Sequence, residues 1–114
     1  YHNTSGTDNI AIGNYAAFHD TSGSNNTAIG TFSLYSNRNG FSNIAIGSYA
    51  LYGAANSNLV AIGDSTLYNC YYGIEDVAVG SKALYSDTSG SSNTAVGFHS
   101  LFSTMTGNNN TDRK

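Results

Sequence analysis

The stretch Asn26–Thr27–Ala28–Ile29–Gly30–Thr31–Phe32–Ser33–Leu34–Tyr35–Ser36–Asn37 decides the fold, because the chain keeps returning to it. Ala–(Ile/Val)–Gly recurs six times, ending at Gly13, Gly30, Gly47, Gly63, Gly80 and Gly97, in steps of 17, 17, 16, 17 and 17 residues. Ile12, Ile29, Ile46, Ile62, Val79 and Val96 precede these glycines. Four residues after them stand Ala17, Leu34, Leu51, Leu67, Leu84 and Leu101, and one further on Phe18, Tyr35, Tyr52, Tyr68, Tyr85 and Phe102, a column that Tyr1 also joins. A second glycine follows ten residues after the first, at 23, 40, 73, 90 and 107, and only the 16-residue unit puts Ser57 there. Several columns holding one phase define a repeat.

A 17-residue unit is too short for a helical hairpin or a propeller blade, and it suits one coil of a parallel β-solenoid. The expected fold is all-β: about six coils near residues 9–25, 26–42, 43–58, 59–75, 76–92 and 93–109, with 110–114 as a junction. Each coil reads as two short strands, Asn-x-Ala-Ile-Gly and x-x-Ala-Leu-Tyr, joined by turn formers such as Asp87–Thr88–Ser89–Gly90–Ser91–Ser92. Coils stacked about 4.8 Å apart give a rod of roughly 29 Å. In the first strand Ile10 and Ile12 share one face, expected to fill the coil interior. Ala11 and Gly13 share the other, where small residues admit a neighbouring backbone. A strand apolar on both sides calls for a second layer, so self-association along the first strand is expected. The chain opens midway through a coil, and Asp112–Arg113–Lys114 replaces the seventh Ala-Ile-Gly. No polar cap is visible at either end, which reads as a segment of a longer fibre.

Composition agrees with that architecture. Gly, Asn, Ser and Thr supply 55 of the 114 residues, only 10% are charged, and Pro and Trp are absent. A net charge of −3 argues against nucleic-acid binding, and the shortage of strong helix formers against a helical bundle. No apolar run is long enough to span a bilayer as a helix. The single cysteine, Cys70, excludes an internal disulfide or a cysteine-based zinc site.

The units beginning at Asn26 and at Asn93–Thr94–Ala95–Val96–Gly97 resemble the Asn-Thr-Ala-x-Gly-x-x-Ala-Leu repeats of phage-tail-fibre-like and bacterial surface fibre proteins. With a longer period they are also similar to the Val-Ala-Ile-Gly coils in the heads of trimeric autotransporter adhesins. The resemblance covers residues 9 to 111. It implies a left-handed parallel β-roll, three chains around one axis, and attachment to a host or surface from an extracellular or virion fibre. Leu59 and Asp76 depart from the Asn before the first strand, and unit three is one residue short. Both departures are expected to disturb loops and leave the roll intact.

Candidate sites are few. The aromatic column reads first as a structural ladder, and alternatively as a stacking platform for sugars. The column two residues after the first glycine holds Tyr15, Phe32 and Tyr49 and then turns polar at Ser65, Lys82 and His99. The least regular loop contains Cys70, Tyr71, Tyr72, Glu75 and Asp76. Aromatic rings beside carboxylates can hold a sugar, so Tyr71, Tyr72, Glu75 and Asp76 are the candidate glycan contacts of a carbohydrate-binding alternative. His2, His19 and His99 share no phase, the acids lack the spacing of a calcium loop, and no nucleophile–base–acid constellation is present. No cofactor, metal or enzymatic activity is expected. An ice-binding face is disfavoured because Thr27 and Thr94 alternate with Ile10, Ile44, Val60 and Val77 instead of forming a continuous threonine file.

Overall fold

In a computed structural model that describes residues 3–114, each unit contributes one three-residue strand, and the strands stack in chain order. They are β1 (Ile10–Ile12), β2 (Thr27–Ile29), β3 (Ile44–Ile46), β4 (Val60–Ile62), β5 (Val77–Val79), β6 (Thr94–Val96) and β7 (Thr111–Arg113). All neighbours pair in parallel with like on like: Ala28 lies opposite Ala45, Ala45 opposite Ala61, and Ile29 opposite Ile46. The result is a β-solenoid of about six turns measuring 37 × 21 × 17 Å. Tyr1 and His2 lie outside the described residues.

The inside and the outside of the strand are the reverse of the sequence expectation. Ala28, Ala45, Ala61, Ala78 and Ala95 are fully buried, whereas Ile10 and Ile12 are 51% and 59% exposed. A coil of 17 residues is narrow. Leu34, Leu51, Leu67 and Leu84, all fully buried, share its interior with the strand alanines in one core cluster. Only a methyl group fits between the strand and that leucine file, so the larger Ile and Val side chains turn outward. Leu101, in the last complete unit, is partly buried against the same core.

The expected second strand is also absent. Ala-Leu-Tyr runs through turns, because two residues there adopt left-handed backbone. The position two after the glycine, from Tyr15 to His99, has φ of 53–58° at Tyr15, Phe32, Tyr49, Ser65 and His99 and 59° at Lys82. The leucine position has φ of 48–52° at Leu34, Leu51, Leu67, Leu84 and Leu101. Left-handed backbone at a residue with a Cβ costs on the order of 1–2 kcal/mol. Here it is over-determined by bonds to both neighbouring coils: Phe32 N–H donates back to Asn14 C=O at 2.8 Å and Leu34 N–H donates forward to Ala50 C=O at 2.8 Å. The same alternation recurs at Tyr49 and Leu51.

Glycine at the strand's end is required by close approach. Gly47 has φ 128°, and a Cβ there would sit 2.5 Å from the Gly63 carbonyl oxygen and 2.6 Å from its carbon. The short unit keeps register through Ala54, whose N–H donates to Leu51 C=O as Asn37 N–H does to Leu34 C=O, and loses its residue just after it. Asn56, and not Ser57, then takes the place of the second glycine, lying against Gly40 as Gly40 lies against Gly23. The roll continues unbroken through β4, as expected. At the other end β7 pairs with β6 in register, so Asp112 stands where alanine stands elsewhere. Its Oδ2 accepts the Leu101 N–H at 3.1 Å.

Candidate functional site

Six strands present two outward files. The first holds Ile10, Thr27, Ile44, Val60, Val77 and Thr94, and the second holds Ile12, Ile29, Ile46, Ile62, Val79 and Val96. Every one of the twelve side chains is β-branched, none is charged, and the parallel register keeps each file straight. Ile44, Ile62 and Val96 are 38%, 37% and 39% exposed, while Thr27, Ile29, Ile46, Val60, Val79 and Thr94 are half-buried. β-Branched residues are stiff at χ1, so the face is pre-ordered as well as apolar. The sequence marks Ile12, Ile29, Ile46, Ile62, Val79 and Val96 as structural repeat positions, and it places the face of Ile10 and Ile12 in the interior. The outward direction makes them a candidate interaction surface that runs the height of the stack.

The aromatic column is a ladder. Tyr35–Tyr52, Tyr52–Tyr68, Tyr68–Tyr85 and Tyr85–Phe102 stack with centroids 5.0–5.2 Å apart and planes within 11° of parallel, with Phe18 stacked on Tyr35 at 5.8 Å. Tyr15, Phe32 and Tyr49 stack beside it at 5.0 and 5.2 Å, and Phe32 meets Tyr35 edge-on at 5.4 Å. Ring faces are therefore occupied by other rings, and a sugar would meet only edges along the column. Burial, and then the neighbouring Tyr52, Tyr85, Tyr49 and Tyr71, push the Tyr68 hydroxyl pKa upward. Past the polar Ser65 and Lys82, the Tyr15–Phe32–Tyr49 column ends at His99, which stacks with Phe98 and with Phe102 at 4.1 and 4.5 Å.

The irregular loop is only partly a surface patch. Tyr72 is 76% exposed, and the Tyr71 ring lies against Gly53, over the short unit. Glu75 stays exposed and accepts a hydrogen bond from Ser92 Oγ at 3.4 Å. Asp76 is fully buried and is removed from the glycan contacts. Cys70 is buried below the loop, and its thiol is pushed up to about 12 by burial and by the neighbouring Asp76 and Asp87.

What holds Asp76 inside is a polar ladder that the sequence marked only as a column of asparagines. Asn9, Asn26, Asn43 and Asn93 each accept the next coil's N–H on Oδ1 and donate Nδ2 to a loop carbonyl one coil on. Asn9 accepts from Asn26 N–H at 2.9 Å, Asn26 from Asn43 at 3.0 Å, and Asn43 from Leu59 at 3.0 Å. Asn26 Nδ2 donates to the Gly40 carbonyl at 2.8 Å, and Asn43 Nδ2 to that of Asn56 at 2.7 Å. Leu59 can do neither, and the Cys70 thiol instead points at the Gly73 carbonyl at 3.8 Å. A second interior column closes the corner beyond: Asp20, Asn37 and Asp87 accept the N–H of Gly23, Gly40 and Gly90 at 2.7, 3.0 and 2.7 Å.

At the β7 end a cavity of about 430 Å³ is lined by His99, Leu101, Phe102, Ser103, Thr104, Asp112 and Lys114. Among the described residues no group of three His, Cys, Asp or Glu could hold a metal ion. Comparison of the chain with family models, with curated proteins and with solved structures found no match.

Proposed function

We propose that this chain is a structural segment, shaft or head, of a homotrimeric extracellular fibre that attaches a cell or virion to a host or surface. The observation that carries the reading is the outward face of twelve uncharged β-branched side chains, repeated with the period of the roll itself. Contiguous exposed apolar surface of this kind marks an interaction site. The occupant we assign is a second and a third copy of the chain. A copy carries the same spacing, so its files match these over the full height of the stack. A partner with any other period would lose register within a few coils. Three left-handed rolls packed face inward around one axis would bury the files and leave the polar loops on the rim.

The mechanical role follows from the backbone. Strand and turn alike are tied to the neighbouring coils, and the aromatic ladder adds about 0.5–1.5 kcal/mol per stacked pair. Such a rod is stiff and holds whatever is attached to it at a fixed distance. The carbohydrate-binding alternative has less support, because the ring faces of the ladder are covered and Asp76 is buried.

Sedimentation of the native chain beside an Ile46→Lys/Ile62→Lys variant tests the reading. The native chain is expected to sediment as a trimer, and the variant as a single chain with unchanged circular dichroism. Equal, monomeric masses for both would sink it.

A further inference from the structure

Asp76 replaces one rung of the asparagine ladder, and the replacement is incomplete. Its Oδ1 does what the asparagine oxygen does elsewhere, accepting the Asn93 N–H at 2.8 Å. Its Oδ2 stands where the amide nitrogen stands, yet it is buried and has no partner. The equivalent groups fix where it points. At Gly23 the Gly40 carbonyl and Asn26 Nδ2 converge on the glycine's open side, and there they are hydrogen-bonded to each other. At Gly90 the same holds for the Gly107 carbonyl and Asn93 Nδ2, bonded at 2.7 Å. At Gly73 the pair is the Gly90 carbonyl and Asp76 Oδ2, respectively 2.5 and 2.6 Å from the position a Cβ would take. Two acceptors thus face each other inside the protein. A buried charge against a carbonyl oxygen is costly, and a proton between them removes the conflict.

We propose that Asp76 is a built-in proton-binding site, whose Oδ2 holds a proton and donates it to the Gly90 carbonyl, restoring the rung that Asn26, Asn43 and Asn93 supply in their coils. The site is internal and independent of the self-association reading. The titratable groups facing it are Cys70, on the preceding corner, and Asp87, whose Oδ1 accepts the Gly90 N–H and whose Oδ2 accepts from Asn93 Nδ2. Glu75, next in the chain, is turned to solvent against Ser92. No cation faces the site from these elements, and the Asp87 charge favours the protonated form.

The chemistry of the group agrees. Burial raises the Asp76 carboxyl to about 7; the Asn93 N–H and the Asn93 side-chain amide oppose the rise, and Asp87 adds to it. An unfolded aspartate titrates near about 3.9. Between those values the folded chain holds the extra proton, so stability falls as pH rises. The contribution is full below about pH 3.9 and is lost as pH passes through about 7. Proton release then opens a conflict directly before β5, between the fourth and sixth strands.

The experiment is a carboxyl-carbon NMR titration of the native chain, with thermal melts of native and Asp76→Asn protein from pH 5 to pH 8. One carboxyl titrating near neutrality, and missing in Asp76→Asn, is the expected result. The native melting temperature should fall across this range, and Asp76→Asn should melt higher than native at pH 8 and lose the neutral part of the slope. Asp20 and Asp87, also raised by burial, account for slope that remains at lower pH. An Asp76 carboxyl that titrates in the ordinary acidic range, or an Asp76→Asn melt with the native neutral-range slope, would overturn the proposal. The native titration decides the matter even if the variant folds poorly.

Discussion

Replacing Asn26 by alanine removes one complete rung of the interior ladder. The side chain is buried, accepts the Asn43 N–H at 3.0 Å and donates to the Gly40 carbonyl at 2.8 Å. That carbonyl keeps a second donor, Asn37 Nδ2 at 3.2 Å, so the orphaned group is the Asn43 N–H. An unsatisfied buried N–H costs about 1–3 kcal/mol, and the lost bond to Gly40 about 1 kcal/mol more, giving roughly 2–4 kcal/mol. For a domain of this size that is a fall in melting temperature of roughly 8–16 °C. Calorimetry against Asn39→Ala, at an exposed loop position, isolates the effect. Asn26→Asp makes the argument sharper. It keeps the acceptor for Asn43 but turns an oxygen toward Gly40, so its deficit should be larger at pH 8 than at pH 5. An Asn26→Ala protein within about 0.5 kcal/mol of the control, the usual range for surface substitutions, would refute the claim that the ladder carries stability.

Two further outcomes follow from the interior. Gly47→Ala should lose about 2–5 kcal/mol, from positive-φ strain and a Cβ pressed on the Gly63 backbone, and an unchanged melt would contradict the close approach. Cys70, buried with its thiol raised to about 12, should resist thiol reagents at pH 8 until denaturant is added; rapid labelling of folded protein would contradict that burial.

The repeat, the coil count and the parallel register were legible in the sequence because they are written in fixed columns of Gly, Leu and Tyr. The direction of the strand was not. Ile12 and Leu34 are equally apolar, and hydrophobicity alone cannot say which fills the interior. Coil width decides it, and width depends on the turn geometry. That geometry was hidden too, because leucine at φ of about 50° is rare outside such a stack and nothing in Ala-Leu-Tyr advertises it. The aromatic ladder was legible from the spacing of Tyr35, Tyr52, Tyr68 and Tyr85. The polar ladder left a clear trace, the Asn before every strand with Leu59 and Asp76 as exceptions, but its meaning needed the hydrogen bonds. Asp76 was grouped with its chain neighbours Tyr71, Tyr72 and Glu75 as a glycan contact. The solenoid groups it with Asn26, Asn43 and Asn93 instead, in one column along the stack.

The central claim is that the outward files of Ile, Val and Thr are closed by copies of the same chain. A concentration series of solution mass measurements on the native protein addresses it most directly. The account predicts a species of three times the 11.9 kDa chain mass that persists on dilution. A mass of one chain at every concentration would contradict it.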